Sequence, residues 1–181
     1  MKTTITKTFL LNIVKSLNEV VETKDIRPIL QCINIKIYEN YLLFSATDSY
    51  KLNQIKVECE IENNELLQEI NIKSKDLLDL VKIIKDENIT LLVENECCYL
   101  NNYQIDLFKG CYPKLDYVFK EYQNKINVNI NINNFIKELK ALKHLGVESA
   151  TLTLSTESSL KPIYVKDKNN DNIKGIILPV R

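Results

Sequence analysis

Glycine is scarce in this 181-residue chain, at three residues, and histidine is scarcer still, at one. Gly110, Gly146 and Gly175 stand far apart, so no phosphate-cradling glycine loop exists. The lone histidine, His144, sits at the end of a helical stretch with no Ser/His/Asp or Cys/His arrangement around it. No carboxylate pair has a reason to be perturbed, and an enzyme is therefore a poor reading. Net charge is lacking too: 24 Lys and Arg balance 24 Asp and Glu. Without a global field toward nucleic acid or membrane, any DNA contact must come from a local arrangement of charges. No apolar run approaches the roughly 18 residues that a spanning helix requires, and the amino terminus lacks a signal-peptide core. A cytoplasmic protein is expected. The five cysteines, Cys32, Cys59, Cys97, Cys98 and Cys111, are odd in number and not spaced as two zinc-binding pairs. They read as core or reduced surface thiols, with no metal and no cofactor expected.

Isoleucine and asparagine are abundant, which with so little glycine suggests an AT-rich coding sequence, from a low-GC bacterium, its phage or a plasmid. The length suits one domain or a little more. Its most informative feature is an internal repeat. An isoleucine stands five residues before an apolar helix position three times, as Ile5 and Leu10, Ile72 and Leu77, Ile130 and Phe135. Helical spacing follows each: Leu10, Ile13, Val14 and Leu17; then Leu77, Leu80, Val81 and Ile84; then Phe135, Leu139 and Leu142.

An alternating strand precedes each helix, most clearly in residues 126–132, INVNINI, and Ser74 and Asn133 or Asn134 are plausible N-caps. Three strand-like segments follow each helix. They span 29–38, 41–46 and 51–61 in the first copy, 89–94, 97–100 and 103–108 in the second, and 150–154, 163–165 and 173–180 in the third. Gly146 is placed to end the third helix, and polar turns lie at 101–102 and 169–172. The fold class expected is α+β: a βαβββ unit three times over, with helices on one face of antiparallel sheets. Copies one and two should pack as a two-fold-related pair, whereas copy three has no partner in its own chain.

One stretch organises the rest: residues 27–52, RPILQCINIKIYENYLLFSATDSYKL. RPIL followed by ATDSYKL resembles the middle domain of the bacterial sliding clamp, the β subunit of DNA polymerase III, where RPxL and a TDG(H/Y)(R/K)L turn recur at this separation. Residues 112–118, YPKLDYV, are similar to that family's linker between its second and third domains. Residues 175–181, GIILPVR, are similar to its terminal YVVMPMR, and Pro162-Ile163 before a last hairpin also fits. The resemblance covers nearly the whole chain, as the clamp's second domain joined to the second half of its third. It implies a complete clamp domain over 1–110, a linker over 111–125, and a single βαβββ half-domain over 126–181 that pairs with another chain.

Clamps encircle duplex DNA as rings of six domains and act as processivity factors, so the resemblance implies a non-catalytic role in DNA replication. It also implies a hydrophobic cleft for short peptides of polymerases and the clamp loader. Carried over, the cleft comprises Leu30, Thr47, Ser49, Tyr50, Lys51, Leu52, Pro113, Tyr117, Val118, Asn131, Pro162, Ile163, Leu178, Pro179, Val180 and Arg181. Apolar walls with a few polar groups suit such peptides. Two residues depart from the family: Ser49 stands where Gly is usual, so a changed turn is expected, and Lys51 replaces the commoner Arg.

DNA-facing positions implied are Arg27, Lys75, Lys82, Lys137 and Lys140, with binding expected to be weak, salt-sensitive and blind to sequence. Two unpaired third copies from different chains could rebuild a domain about a two-fold axis. A homo-oligomer, dimer or tetramer, is therefore expected, and four chains would supply six domains. A different reading is a clamp-derived module or decoy that binds clamp-binding peptides, or the full-length clamp, without encircling DNA.

Overall fold

The computed structural model describes residues 1–24, 26–62, 69–94, 96–115, 127–155, 157–170 and 172–180. The chain forms two compact units, Met1–Leu115 and Asp116–Arg181. The first begins with β1 (Lys2–Thr6), α1 (Lys7–Asn18), a 3-10 turn at Pro28–Gln31, β2 (Cys32–Ile37), β3 (Tyr41–Thr47) and β4 (Leu52–Glu58). It repeats the order with β5 (Glu69–Lys73), α2 (Ser74–Ile83), β6 (Asn88–Glu94), β7 (Cys97–Leu100) and β8 (Tyr103–Ile105). Local pattern explains each element. Leu10, Ile13, Val14 and Leu17 form the buried stripe of α1, and Ile89, Leu91 and Val93 the buried side of β6.

The two copies interlock by exchanging their first strands. One sheet runs β1-β6-β7-β8 and the other β4-β3-β2-β5, each with three strands of one copy and one of the other. Ile5 lies opposite Ile89, and Ile72 opposite Ile33, in antiparallel ladders. A one-residue slip would turn Ile5 or Ile72 out of the core, so burial holds the register. Both helices and both sheets share one apolar core, in which Val14, Leu17 and Val81 are fully enclosed. Truncating such a residue, Leu17 to Ala for example, costs about 2–5 kcal/mol.

The helices pack side by side with opposite polarity. At one end the Ser74 hydroxyl, at the start of α2, donates to Asn18 Oδ1 at 2.8 Å, at the end of α1. At the other, the Lys7 ammonium at the start of α1 donates to the carbonyls of Lys82 (3.3 Å) and Ile84 where α2 ends. A cation suits a helix C-terminus, where carbonyls lack partners. Ser74 is thus no N-cap: Lys73 occupies that position, and the Ser74 side chain is spent on the other helix.

Residues 106–115 return over β5 and β2. The Phe108 amide donates to the Asn71 carbonyl at 2.8 Å, Asn71 Nδ2 to the Gly110 carbonyl at 3.1 Å, and Asn34 Nδ2 to Asn71 Oδ1 at 2.9 Å. Tyr112 and Leu115 are buried, although both lie within the segment expected as linker. This cover explains why Asn34, on the opposite face of β2 from Ile33 and Ile35, is buried as they are.

The second unit contains α3 (Ile132–His144), β9 (Ala150–Thr153), β10 (Ile163–Asp167) and β11 (Lys174–Ile177), with an antiparallel sheet ordered β9-β10-β11. Its core is small: Leu142, Ile163, Val165 and Ile177, with Val128, Ile130, Phe135, Val147 and Ile173 against them. Asn131, not Asn133 or Asn134, caps α3, its Oδ1 accepting from the Asn134 amide at 3.1 Å. Gly146 ends the helix at φ +79°, with the Val147 amide bonded to the Leu142 carbonyl at 3.2 Å.

The alternating segment before α3 differs from expectation. Residues 127–131 belong to no ladder among the described residues, and Ile132 is already helical. The first unit supplies the reason: leading strands there pair across to the sister copy, and among the described residues no sister copy stands beside the third. No helix among the described residues is long and apolar enough to cross a membrane.

Candidate functional site

The turn joining β3 to β4 carries the exposed part of the organising stretch. Buried Thr47 donates through Oγ1 to the Lys51 carbonyl at 2.7 Å and accepts from the Ser49 amide at 3.0 Å. Asp48 Oδ1 accepts from the amides of Tyr50 (2.9 Å) and Lys51 (2.7 Å), and Oδ2 lies 3.3 Å from the Lys51 ammonium. Desolvation acts to raise the Asp48 pKa, but these amides and the ammonium outweigh it and hold the carboxyl below its ordinary value. Lys51 Nζ also donates to the Glu19 carbonyl at 3.0 Å, at the C-terminal end of α1, so the turn is tethered to the helix.

Ser49 sits at φ +79°, a conformation that glycine adopts freely and serine does not. The left-handed backbone that favours glycine is thus present here with serine in its place. Side-chain bonds from Thr47 and Asp48 hold the residue in the left-handed region instead. Tyr50, next to it, projects into solvent with 94% of its surface exposed. An aromatic ring held out on a clamped turn contributes nothing to the core.

Of the other predicted cleft residues in the first unit, Leu30 is buried in the 3-10 turn, Leu52 is half-buried at the start of β4, and Pro113 is exposed. In the second unit Asn131 is the cap of α3, Ile163 is buried, Pro162 and Pro179 are half-buried, and Leu178 and Val180 are exposed. Tyr117, Val118 and Arg181 lie outside the described residues. Arg27, Lys75, Lys82, Lys137 and Lys140 are all exposed. Lys75 and Lys82 are two turns apart on one side of α2, with Lys82 3.6 Å from Asp79. Lys137 and Lys140 are one turn apart on α3.

Two residues absent from the predicted set stand out beside the turn. Asp48 organises the turn; an Asp just before the turn's central residues is itself an Asx-turn signal. Tyr112 lies buried near Thr47, and its hydroxyl has no hydrogen-bond partner among the described residues. Burial pushes its pKa up to about 12, with the Thr47 amide opposing the rise. Cys32 and Cys98 are also buried, which raises them to about 11 and about 12. Among the described residues no group of three or more His, Cys, Asp or Glu side chains is placed to hold a metal ion.

The central-domain model of the DNA polymerase III β subunit matches residues 4–114, the interlocked pair of copies with its turn and return segment. The chain belongs to the DNA polymerase III β-subunit, or sliding-clamp, family. The β sliding clamp of Staphylococcus epidermidis is 32% identical over 235 aligned positions, covering 94% of this chain and 61% of that protein. This clamp-family chain therefore spans about 61% of the length of that curated relative. Since 94% of 181 residues is about 170, some 65 of the 235 aligned positions face no residue of this chain. The β chain of Streptococcus pneumoniae DNA polymerase III shares the fold at a TM-score of 0.70 and 16% identity, over 100% of this chain and 65% of that one. A Helicobacter pylori β clamp bound to a DNA ligase peptide does so at 0.65 and 20%, over 91% and 48%.

Proposed function

We propose that this clamp-family chain is a non-catalytic, cytoplasmic processivity factor that encircles duplex DNA as a homo-oligomer and holds partner peptides. The observation that carries the reading is the interlocked pair of copies in residues 1–115, with a third copy whose helix and three strands have no sister among the described residues. Pairing of third copies between chains supplies the missing half-domain, and the positions of the relative that face no residue here agree with a shortened chain. Four chains would then carry six paired domains.

Peptides of DNA polymerase and the clamp loader are the proposed occupants of a surface built from Leu30, Thr47, Ser49, Tyr50, Lys51, Leu52 and Pro113. The family resemblance also nominates Asn131, Pro162, Ile163, Leu178, Pro179 and Val180, with Tyr117, Val118 and Arg181, as peptide-contact positions. Apolar side chains of the peptide fit its walls, and the clamped turn fixes its direction. Duplex DNA meets Arg27, Lys75, Lys82, Lys137 and Lys140 through phosphates alone, so binding is sequence-independent and falls steeply with salt.

The test is retention on DNA of defined topology. Loaded onto nicked circular duplex, the protein should stay bound through gel filtration and be lost once the circle is cut. Equal retention on circular and linear DNA would refute encirclement. Binding of a fluorescent DNA ligase peptide, of the kind the Helicobacter pylori clamp holds, is measured in parallel. Peptide binding without topological retention would favour the interaction-module reading.

A further inference from the structure

The third copy is built up to the point at which a sister copy should join it. Asn71 and Asn129 each stand six residues before the apolar position that opens the helical stripe, Leu77 or Phe135. The Phe108 amide donates to the Asn71 carbonyl at 2.8 Å, and the Val180 amide donates to the Asn129 carbonyl at the same distance. The leading segment of the third copy is thus anchored to its own tail just as β5 is. In β5 a second set of backbone bonds forms the ladder to β2 of the sister copy. Residues 127–131 have no such ladder among the described residues.

The complementary edge is open as well. β2 is flanked by β5 and β6 by β1, while β9, the corresponding first strand after the helix, is bonded among the described residues to β10 alone. Apolar side chains behind that edge are uncovered. Leu139 is 38% exposed, whereas Val14 and Val81 at the same place in the repeat are fully buried. Leu152, directly opposite the buried Val165, is 45% exposed. An open groove of about 640 Å³ lies where the end of α3 meets the start of β9, lined by Leu139, Leu142, Val147 and Ala150, with Lys143 and Glu148 also lining it.

We infer that a second copy of this chain covers this face by reciprocal strand addition. Residues 127–131 of each chain add antiparallel to β9 of the other, with Val128 opposite Leu152 and Ile130 opposite Ala150. The register follows the first unit, where Thr3 is opposite Leu91 and Ile5 opposite Ile89. The inference rests on the self-assembly reading above and specifies its contact. A second copy is the fitting occupant because each third copy carries both halves of the contact, an open leading segment and an open inner strand. A two-fold axis satisfies both at once. The same chemistry is already realised between the first two copies, whose antiparallel helices supply the template for α3 against α3.

Two measurements decide it. Sedimentation of the full chain at 1–100 µM should show a dimer or tetramer. Leu152→Arg, a change at an exposed position of the single chain, should weaken association by roughly 100-fold with an unchanged circular dichroism spectrum, because a charge is buried unpaired. Ile83→Arg, on exposed α2 surface, should leave association intact. Independently, chains carrying Val128→Cys are mixed with chains carrying Leu152→Cys and oxidised. Opposed residues of an antiparallel pair lie within disulfide reach, so a cross-linked dimer should form in the mixture well above either variant alone. Association that survives Leu152→Arg, or that yields no excess cross-link, would overturn strand addition and leave self-assembly standing. A monomer throughout would overturn both.

Discussion

The Ser74 hydroxyl donates to Asn18 Oδ1 at 2.8 Å across 56 residues of sequence, binding the first turn of one helix to the last residue of the other. Ser74 is buried and Asn18 half-buried, so the bond is partly shielded from water. Replacing Ser74 with Ala strands the Asn18 carbonyl and should cost about 1–2 kcal/mol, read as a fall of a few degrees in melting temperature. In a double-mutant cycle with Asn18→Ala the two losses should be less than additive, since both remove one interaction.

Ser49 keeps a left-handed backbone that Thr47 and Asp48 impose on it. Releasing that strain with Ser49→Gly should stabilise the protein by about 1 kcal/mol, seen as a higher urea midpoint at unchanged slope. The tethers of Asp48 to the Tyr50 and Lys51 amides do not involve the Ser49 side chain, so the turn should survive the change.

Alkaline pH should unfold the protein early. Cys32, Cys98 and Tyr112 all have folded pKa values raised by burial, to about 11, about 12 and about 12. A raised pKa means stability that is fully present below the unfolded value and lost as pH climbs toward the folded one. The unfolded thiols ionise near 9 and the unfolded phenol near 10, so stability should fall progressively from pH 9 to 12. Urea midpoints across that range measure it. Tyr112→Phe should shallow the decline above pH 10 and cost little at pH 7, because among the described residues the lost hydroxyl donates to no partner.

Tyr50 should matter to a partner and not to the fold. With 94% of its surface exposed, Tyr50→Ala should change stability by less than about 0.5 kcal/mol. If the turn holds peptides as proposed, the same change should weaken DNA ligase peptide binding at least tenfold by fluorescence anisotropy, a typical loss for an aromatic anchor.

The elements legible in the sequence were those whose cause is local. Leu10, Ile13, Val14 and Leu17 announce α1 because helical period alone brings them to one side, and Gly146 ends α3 because it alone adopts φ +79° without strain. The TDSY turn was equally visible, since Thr47 and Asp48 bond amides within four residues. The grouping of strands into sheets was not legible. Alternation in β1 and in residues 127–131 is alike, yet one lies in a ladder and the other does not.

By itself, then, the chain's order of residues determined three copies of a helix-and-strand unit, the apolar stripes of the first two helices, and the turn on which Tyr50 stands. Only the tertiary structure decided that first strands cross to the sister copy, that Ser74 reaches Asn18 rather than capping its helix, and that the third copy has two open edges among the described residues. The physical reason is range: helix period and turn bonds act over a few residues, whereas a ladder forms only where a distant strand completes it.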